Sequence, residues 1–191
     1  MEIQPTDALI VVDVQKDFCP GGALAIEEGD EVVPVINRVK RHFTHVVFTR
    51  DWHPENHCSF STNPDFQDGS WPPHCVQNTA GAEFHFDLIV PHDAWIVSKG
   101  TELDSDAYSG FQESSLAEDL EKKGINRVFV CGLATDVCVK STALDARKLG
   151  FDVVVIEDAC RGVDVPIGSA AKAIEEMKAA GVQVCQSGDI A

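Results

Sequence analysis

Short apolar runs recur along the chain, each closed by polar residues and most followed by a stretch of helical spacing. Ala8 to Val12 is continuous and apolar, as in a central parallel strand covered on both faces, and it ends in Asp13-Val14-Gln15. Lys16 to Gly29, with Pro20, Gly21 and Gly22, has the chemistry of a loop. Asp30 to Phe43 sets Val32, Ile36, Val39 and Phe43 on one helical face, with Pro34 early enough for a first turn. Val46 to Thr49 predicts a second strand running out at Asp51, and Trp95 to Val97 a third running out at Ser98-Lys99-Gly100. Leu116 to Lys123 reads as a helix stopped by Gly124, and Val128 to Val130 as a fourth strand. Val153 to Ile156 is a fifth strand, Val165 to Ala180 a helix stopped by Gly181, and Val182 to Cys185 a last short strand. Strands alternating with helices predict an α/β fold: three layers, α/β/α, around a mainly parallel sheet of about six strands. The length of 191 residues suits one domain, 1–191, with a sizeable core.

Two stretches depart from this rhythm. In the first, the strand at Val128 stops at Gly132, and Thr135 and Asp136, two good N-cap residues, precede a helical face of Val139, Ala143 and Ala146. Cys138 then falls in the first turn of a helix that follows a strand. Free N–H groups and the helix dipole there favour a thiolate, and the same N–H groups could hold an oxyanion. On local context alone, a small buried cysteine that only fills space is the commoner reading. The second stretch, Asp51 to Gly81, holds four prolines, Trp52, Trp71 and three histidines with little periodicity. A loop of that length in a compact domain is usually functional or disordered, and its aromatic and histidine content argues against disorder.

The strand ends gather the chemistry. Asp13, Asp51, Lys99 and Cys138 each follow an apolar strand, and in a parallel sheet those carboxyl ends share one edge, where ligands bind. Taken singly, Lys99 could be a solvated rim charge and Asp13 a cap for the next segment. Taken together, Lys99 would favour the Cys138 thiolate, and Asp13 could take the thiol proton and pass it to a leaving group. A Cys–Lys–Asp set without a histidine base suits amide hydrolysis that releases ammonia. Separately, Asp51 and His53 lie two residues apart, so an extended segment aims both to one side, and His74 sits on the same loop. Two imidazoles and a carboxylate leave coordination positions open, as in catalytic zinc sites, with iron or manganese also suited. His57 is a further candidate ligand. His42, His45, His85 and His92 have no visible partner and read as surface residues.

Composition narrows the setting. A formal net charge of −16 argues against a nucleic-acid or anionic-membrane binder, which would need a basic face. No apolar run approaches the ~20 residues of a membrane span, and Asp13 breaks the first run too early for a signal peptide. Seven thinly spread cysteines without zinc-finger spacing read as reduced thiols of a cytoplasmic protein.

The combined motifs resemble those of the nicotinamidases in the isochorismatase-like cysteine hydrolase superfamily, nearly end to end. They are Val12-Asp13-Val14-Gln15-Lys16-Asp17-Phe18 with Pro20-Gly21-Gly22, Asp51-Trp52-His53-Pro54, Trp71-Pro72-Pro73-His74-Cys75, Lys99-Gly100 and Gly132 to Val139. The resemblance implies a triad of Asp13, Lys99 and Cys138 and a divalent metal, zinc first with Fe2+ or Mn2+ as alternatives, on Asp51, His53 and His74. It leaves the part of His57 open, since only some relatives use a histidine placed there. It also implies a cis Leu133–Ala134 peptide, an oxyanion hole from the Ala134 and Cys138 N–H groups, and ring-contacting walls from Phe18, Trp71 and Tyr108. The expected partner is a small molecule, nicotinamide, with pyrazinamide as a further substrate and NAD salvage as the setting. A homo-oligomer is compatible with the resemblance. Val137 stands where many relatives carry an aromatic residue. Another small amide, or isochorismate, is the alternative substrate, and a non-enzymatic metal or redox sensor is a second alternative.

Overall fold

The computed structural model describes residues 1–191. Six strands form one parallel sheet: β1 (Asp7–Val12), β2 (His45–Asp51), β3 (Trp95–Lys99), β4 (Arg127–Leu133), β5 (Asp152–Arg161) and β6 (Gln183–Cys185). Their spatial order is β3-β2-β1-β4-β5-β6. The helices are α1 (Val32–Val39), α2 (Leu116–Lys122), α3 (Lys140–Lys148) and α4 (Ser169–Ala179). From β1 the chain steps outward to β2 and β3, returns to β4 beside β1, and steps the other way to β5 and β6. Right-handed crossovers put α1, on the outward step, on one face and the later helices on the other. The result is the α/β/α layering expected from the alternation of elements.

β1 and β4 are the middle of the sheet, and their apolar runs are buried from end to end. Val32, Val33, Ile36 and Val39 of α1 close the core on one side, and Ala143 and Ala146 of α3 and Met177 of α4 close it on the other. The reversal of strand order falls between β1 and β4, so the crevice at their carboxyl ends is the topological switch point, where ligands bind in open α/β sheets.

Several boundaries differ from those read off the pattern, each for a local reason. The helix expected over Asp30 to Phe43 is α-helical only over Val32–Val39, between single 3-10 turns at Gly29–Glu31 and Lys40–His42. The helix expected from Val165 begins at Ser169, because Gly168 before it has φ 93°, which an α-helix does not accommodate. Thr135 and Asp136 do not act as N-caps. The segment Thr135–Val139 is a π-helical turn entered from an extended Ala134, and it runs directly into α3. His85, read as a surface residue, is buried and accepts the Asp87 N–H on Nδ1. No helix is long and apolar enough to cross a membrane.

Candidate active site

The four strand-end residues meet. β1 leaves the sheet at Asp13, whose φ of 49° lies in the left-handed region that few non-glycine residues enter. That turn points the carboxylate under the crevice, where it is fully buried. β2 and β3 stay paired to their last residues, so Asp51 lies beside Lys99 in register. β4 runs through Gly132, paired with Val12, and a Cβ at residue 132 would collide with the Val12 carbonyl oxygen. Glycine there lets the chain close onto β1 before the cis Leu133–Ala134 peptide and the turn that carries Cys138.

Lys99 Nζ is the hub. It lies 2.8 Å from Asp13 Oδ2 and 3.3 Å from Cys138 Sγ, and it donates to Asp51 Oδ1. Thr49 Oγ1 donates to Asp13 Oδ1 at 2.6 Å. Asp13 Oδ2 has the ionic contact with Lys99 and accepts no aligned hydrogen bond, and a carboxylate oxygen of Asp13 lies within 4.8 Å of the Cys138 sulfur. Burial alone would neutralise Lys99, but Asp13 and Asp51 outweigh it and hold the ammonium well above the ordinary lysine range. Burial raises the Asp13 pKa, with Lys99 opposing it. Burial, helped by Asp13 and Asp51 against Lys99, also raises the Cys138 thiol. The sulfur therefore sits between opposing influences, with burial and the carboxylates on one side and the Lys99 ammonium on the other.

Asp51, His53 and His74 bring one ligand atom each to within 4.8 Å of the others. Nε2 of His53 and of His74 lie 3.5 and 3.7 Å from Asp51 Oδ2. Their Nδ1 atoms face the Gly100 carbonyl at 2.8 Å and the Pro72 carbonyl at 2.7 Å. Those carbonyls fix the proton on Nδ1 and leave each Nε2 lone pair aimed at the same point, the arrangement that ligating histidines show. The donor set fits a borderline divalent ion. Burial would raise the Asp51 carboxylate, but the Lys99 ammonium beside it holds it well below the usual carboxylate range. His57 lies beside this set, and His53, His57 and Asp106 bring ligand atoms within 4.8 Å of one another as a second group. Nε2 of His57 faces the Ser105 carbonyl at 3.1 Å, Ser59 Oγ meets its Nδ1 at 2.8 Å, and its ring lies against His53 at 4.2 Å between centroids.

A narrow pocket of about 30 Å³ opens over these groups. Phe18, Trp71 and Tyr108 line it, as do Ala134 and Cys138. Trp71 Nε1 donates to Tyr108 Oη at 3.1 Å, and Phe18 lies 5.4 Å from His74 between ring centroids. The Ala134 N–H has no backbone acceptor, which leaves it free for a ligand. Val137 lines it from the Cys138 turn, and Leu24, Ile26, Asp106 and Val163 also line it and were not expected. These four come from loops whose sequence carries no signal beyond ordinary apolar and acidic residues. Asp136 was expected as a cap, but its carboxylate accepts the Val163 and Asp164 N–H groups, each at 2.9 Å, and so ties the Cys138 turn to a pocket wall.

The isochorismatase domain matches residues 7–189. A curated nicotinamidase of Acinetobacter baylyi is 43% identical over 201 residues, covering 96% of this chain and 94% of the relative. The pyrazinamidase of Pyrococcus horikoshii, solved in complex with zinc, is 49% identical and superposes with a TM-score of 0.86 over 95% of this chain and 99% of its own. A protein of L. infantum solved with nicotinate is 41% identical, with a TM-score of 0.91 over 100% of this chain and 98% of its own. With a domain match across nearly the whole length and relatives aligned end to end, the chain belongs to the isochorismatase family.

Proposed function

We propose that this chain is a nicotinamidase: a metal-dependent cysteine amidohydrolase that converts nicotinamide to nicotinate and ammonia through a thioester on Cys138, and that also accepts pyrazinamide. In this reading residues 1–191 act as one hydrolase domain in the cytoplasm, and the nicotinate formed enters NAD salvage. The observation that carries the proposal is the contact set of Lys99, whose ammonium touches both the Cys138 sulfur at 3.3 Å and the Asp13 carboxylate at 2.8 Å beneath the pocket. The relatives named nicotinamidase and pyrazinamidase support the substrate class.

Asp51, His53 and His74 would hold the divalent ion, with zinc the first choice. Once bound, the ion supplies a Lewis-acidic anchor for a ring nitrogen. Phe18, Trp71 and Tyr108 hold the flat ring and exclude water from it. Asp13 takes the thiol proton on Oδ2 as the sulfur attacks the carboxamide carbon. The raised pKa of Asp13 suits a group that must accept a proton and then return it. Lys99 offsets the anionic charge that passes between sulfur and carboxylate. The N–H groups of Ala134 and Cys138 hold the oxyanion, and loss of one such donor typically costs ~3 kcal/mol of barrier. Asp13 then protonates the departing nitrogen, ammonia leaves, and the acyl group remains on sulfur. Water attacks the thioester as Asp13 takes its proton, nicotinate is released, and the proton returns to the sulfur.

The test is ammonia release from nicotinamide by the wild type and by Cys138→Ala, with metal analysis of the same samples. The wild type should turn over and the variant should fall to background with its metal content unchanged. Substantial turnover by the variant would refute the covalent route. Preference for isochorismate over nicotinamide would refute the substrate assignment.

A further inference from the structure

Gln15 is a fully buried polar residue that the mechanism above does not use. Its primary amide has three partners. Oε1 accepts the Asp51 N–H at 2.8 Å, and Nε2 donates to the Asp51 carbonyl at 2.7 Å and to the Ala82 carbonyl at 2.9 Å. No polar atom of the side chain is left over except the second lone pair of Oε1.

The position explains the pattern. β1 and β2 pair in register from Ala8 with His45 to Val11 with Phe48, and the last main-chain bond between them runs from the Asp13 N–H to the Thr49 carbonyl. There β1 departs, because Asp13 turns into the site. β2 continues two residues further, to Asp51, with β3 on one side and no strand on the other. The Asp51 peptide groups on the open side would be buried donors and acceptors without partners. Gln15 supplies both partners with one amide, standing in for the β1 peptide that the Asp13 turn removed. Its own N–H closes a tight turn onto the Asp13 carbonyl at 2.8 Å, so the group that clamps Asp51 is tied directly to the residue that faces Cys138.

We propose that Gln15 is a positioning residue for the ion: by clamping the Asp51 backbone it holds the Asp51 carboxylate between Lys99 and the Nε2 atoms of His53 and His74. The inference rests on the reading of Asp51 as a metal ligand but not on nicotinamide as the substrate. Its readout is ion affinity, which an error in the substrate assignment does not touch.

The experiment measures zinc affinity of ion-stripped wild type, Gln15→Met and Gln15→Glu by competition with a chromophoric chelator, and the visible spectrum of each protein loaded with cobalt(II). Met keeps the length of Gln without its hydrogen bonds. Glu keeps the acceptor for the Asp51 N–H but sets an oxygen against two carbonyl oxygens. Both variants should fold and bind zinc about 10–100-fold more weakly than wild type, the usual effect of losing a group that orients a ligand. Their cobalt bands should shift as the Asp51 ligand moves. Val39→Ala, a core truncation in α1 far from the site, should lower the melting temperature and leave the zinc affinity unchanged. If Gln15→Met does not fold, Gln15→Glu decides alone. Zinc affinity within about twofold of wild type in the folded Gln15 variants, or an equal loss in Val39→Ala, would overturn the proposal. Failure of the wild type to bind zinc would overturn it together with the metal reading.

Discussion

Lys99 carries a full charge with almost no water around it: the side chain is enclosed, and its ammonium lies among Asp13, Asp51 and the Cys138 sulfur. One cation faces two carboxylates there. Removing Lys99 from the ion-free protein would leave both carboxylates buried without a countercharge, and loss of one partner of a buried pair is far more damaging than never having built the pair. Lys99→Met is expected to lower stability by about 3–5 kcal/mol in urea unfolding and to abolish ammonia release. A variant of wild-type stability would mean that the carboxylates take up protons at little cost. At this scale the sequence was partly legible. Asp13, Lys99 and Cys138 each have a dull reading alone and stand out together, because the carboxyl ends of parallel strands share one edge. Thr49, which donates to Asp13 Oδ1, and Gln15 did not stand out. Each is an ordinary polar residue whose role depends on what the sheet places opposite it.

The elements were legible in kind and less so in extent. All six strands follow from their apolar runs, which are continuous where a strand is buried on both faces, as in β1 and β4, and shorter at the partly exposed edges β3 and β6. The errors fall where backbone geometry overrides periodicity, at the positive φ of Gly168 before α4 and at the π-helical turn before α3. Neither leaves a signature in spacing. The strand ends also show why two glycines could not be replaced. Gly132 sits against the Val12 peptide, and Gly100, with φ 59°, follows Lys99 and faces the His53 ring. A Cβ at residue 100 would collide with His53 Cε1 and crowd Nδ1, the atom that meets the Gly100 carbonyl. Gly100→Ala is therefore expected to displace the His53 ring and weaken zinc binding about 10-fold or more, read by chelator competition. Gly150→Ala is the control for backbone strain alone, since Gly150 has φ 96° but nothing within 4 Å of the added Cβ. It should lose some stability and keep its affinity for zinc. Equal losses of affinity in both variants would assign the effect to backbone strain and away from the His53 contact.

For the whole molecule, the set proposed to hold the ion is complete only in the folded state, which brings His74 to the neighbouring Asp51 and His53. Asp51 ends β2, while His53 and His74 belong to the long segment between β2 and β3, where the His53 backbone bridges to Val76 and Phe60 bridges to Trp71. An unfolded chain holds no such cluster, so the ion binds the native state and stabilises it by mass action. At a free zinc concentration about 100 times the dissociation constant the gain is about 2.7 kcal/mol. A domain of this size shifts by about 2–4 °C in melting temperature per kcal/mol, so zinc should raise the midpoint by about 5–11 °C. A chelator should return it to the ion-free value. Asp51→Asn should melt at nearly the same temperature with and without zinc, because the neutral amide is a poor ligand and the histidines alone hold the ion weakly. Circular dichroism and tryptophan fluorescence should report one midpoint in each condition. β1 and β4 are paired along their whole length, and the termini meet through the Ala191 N–H and the Met1 carbonyl, so the parts of the chain that could unfold separately are tied to one sheet. A zinc-sensitive transition seen only by fluorescence, with the circular dichroism midpoint unmoved, would show instead that the ion orders the Trp52–Trp71 segment alone, apart from the sheet beneath it.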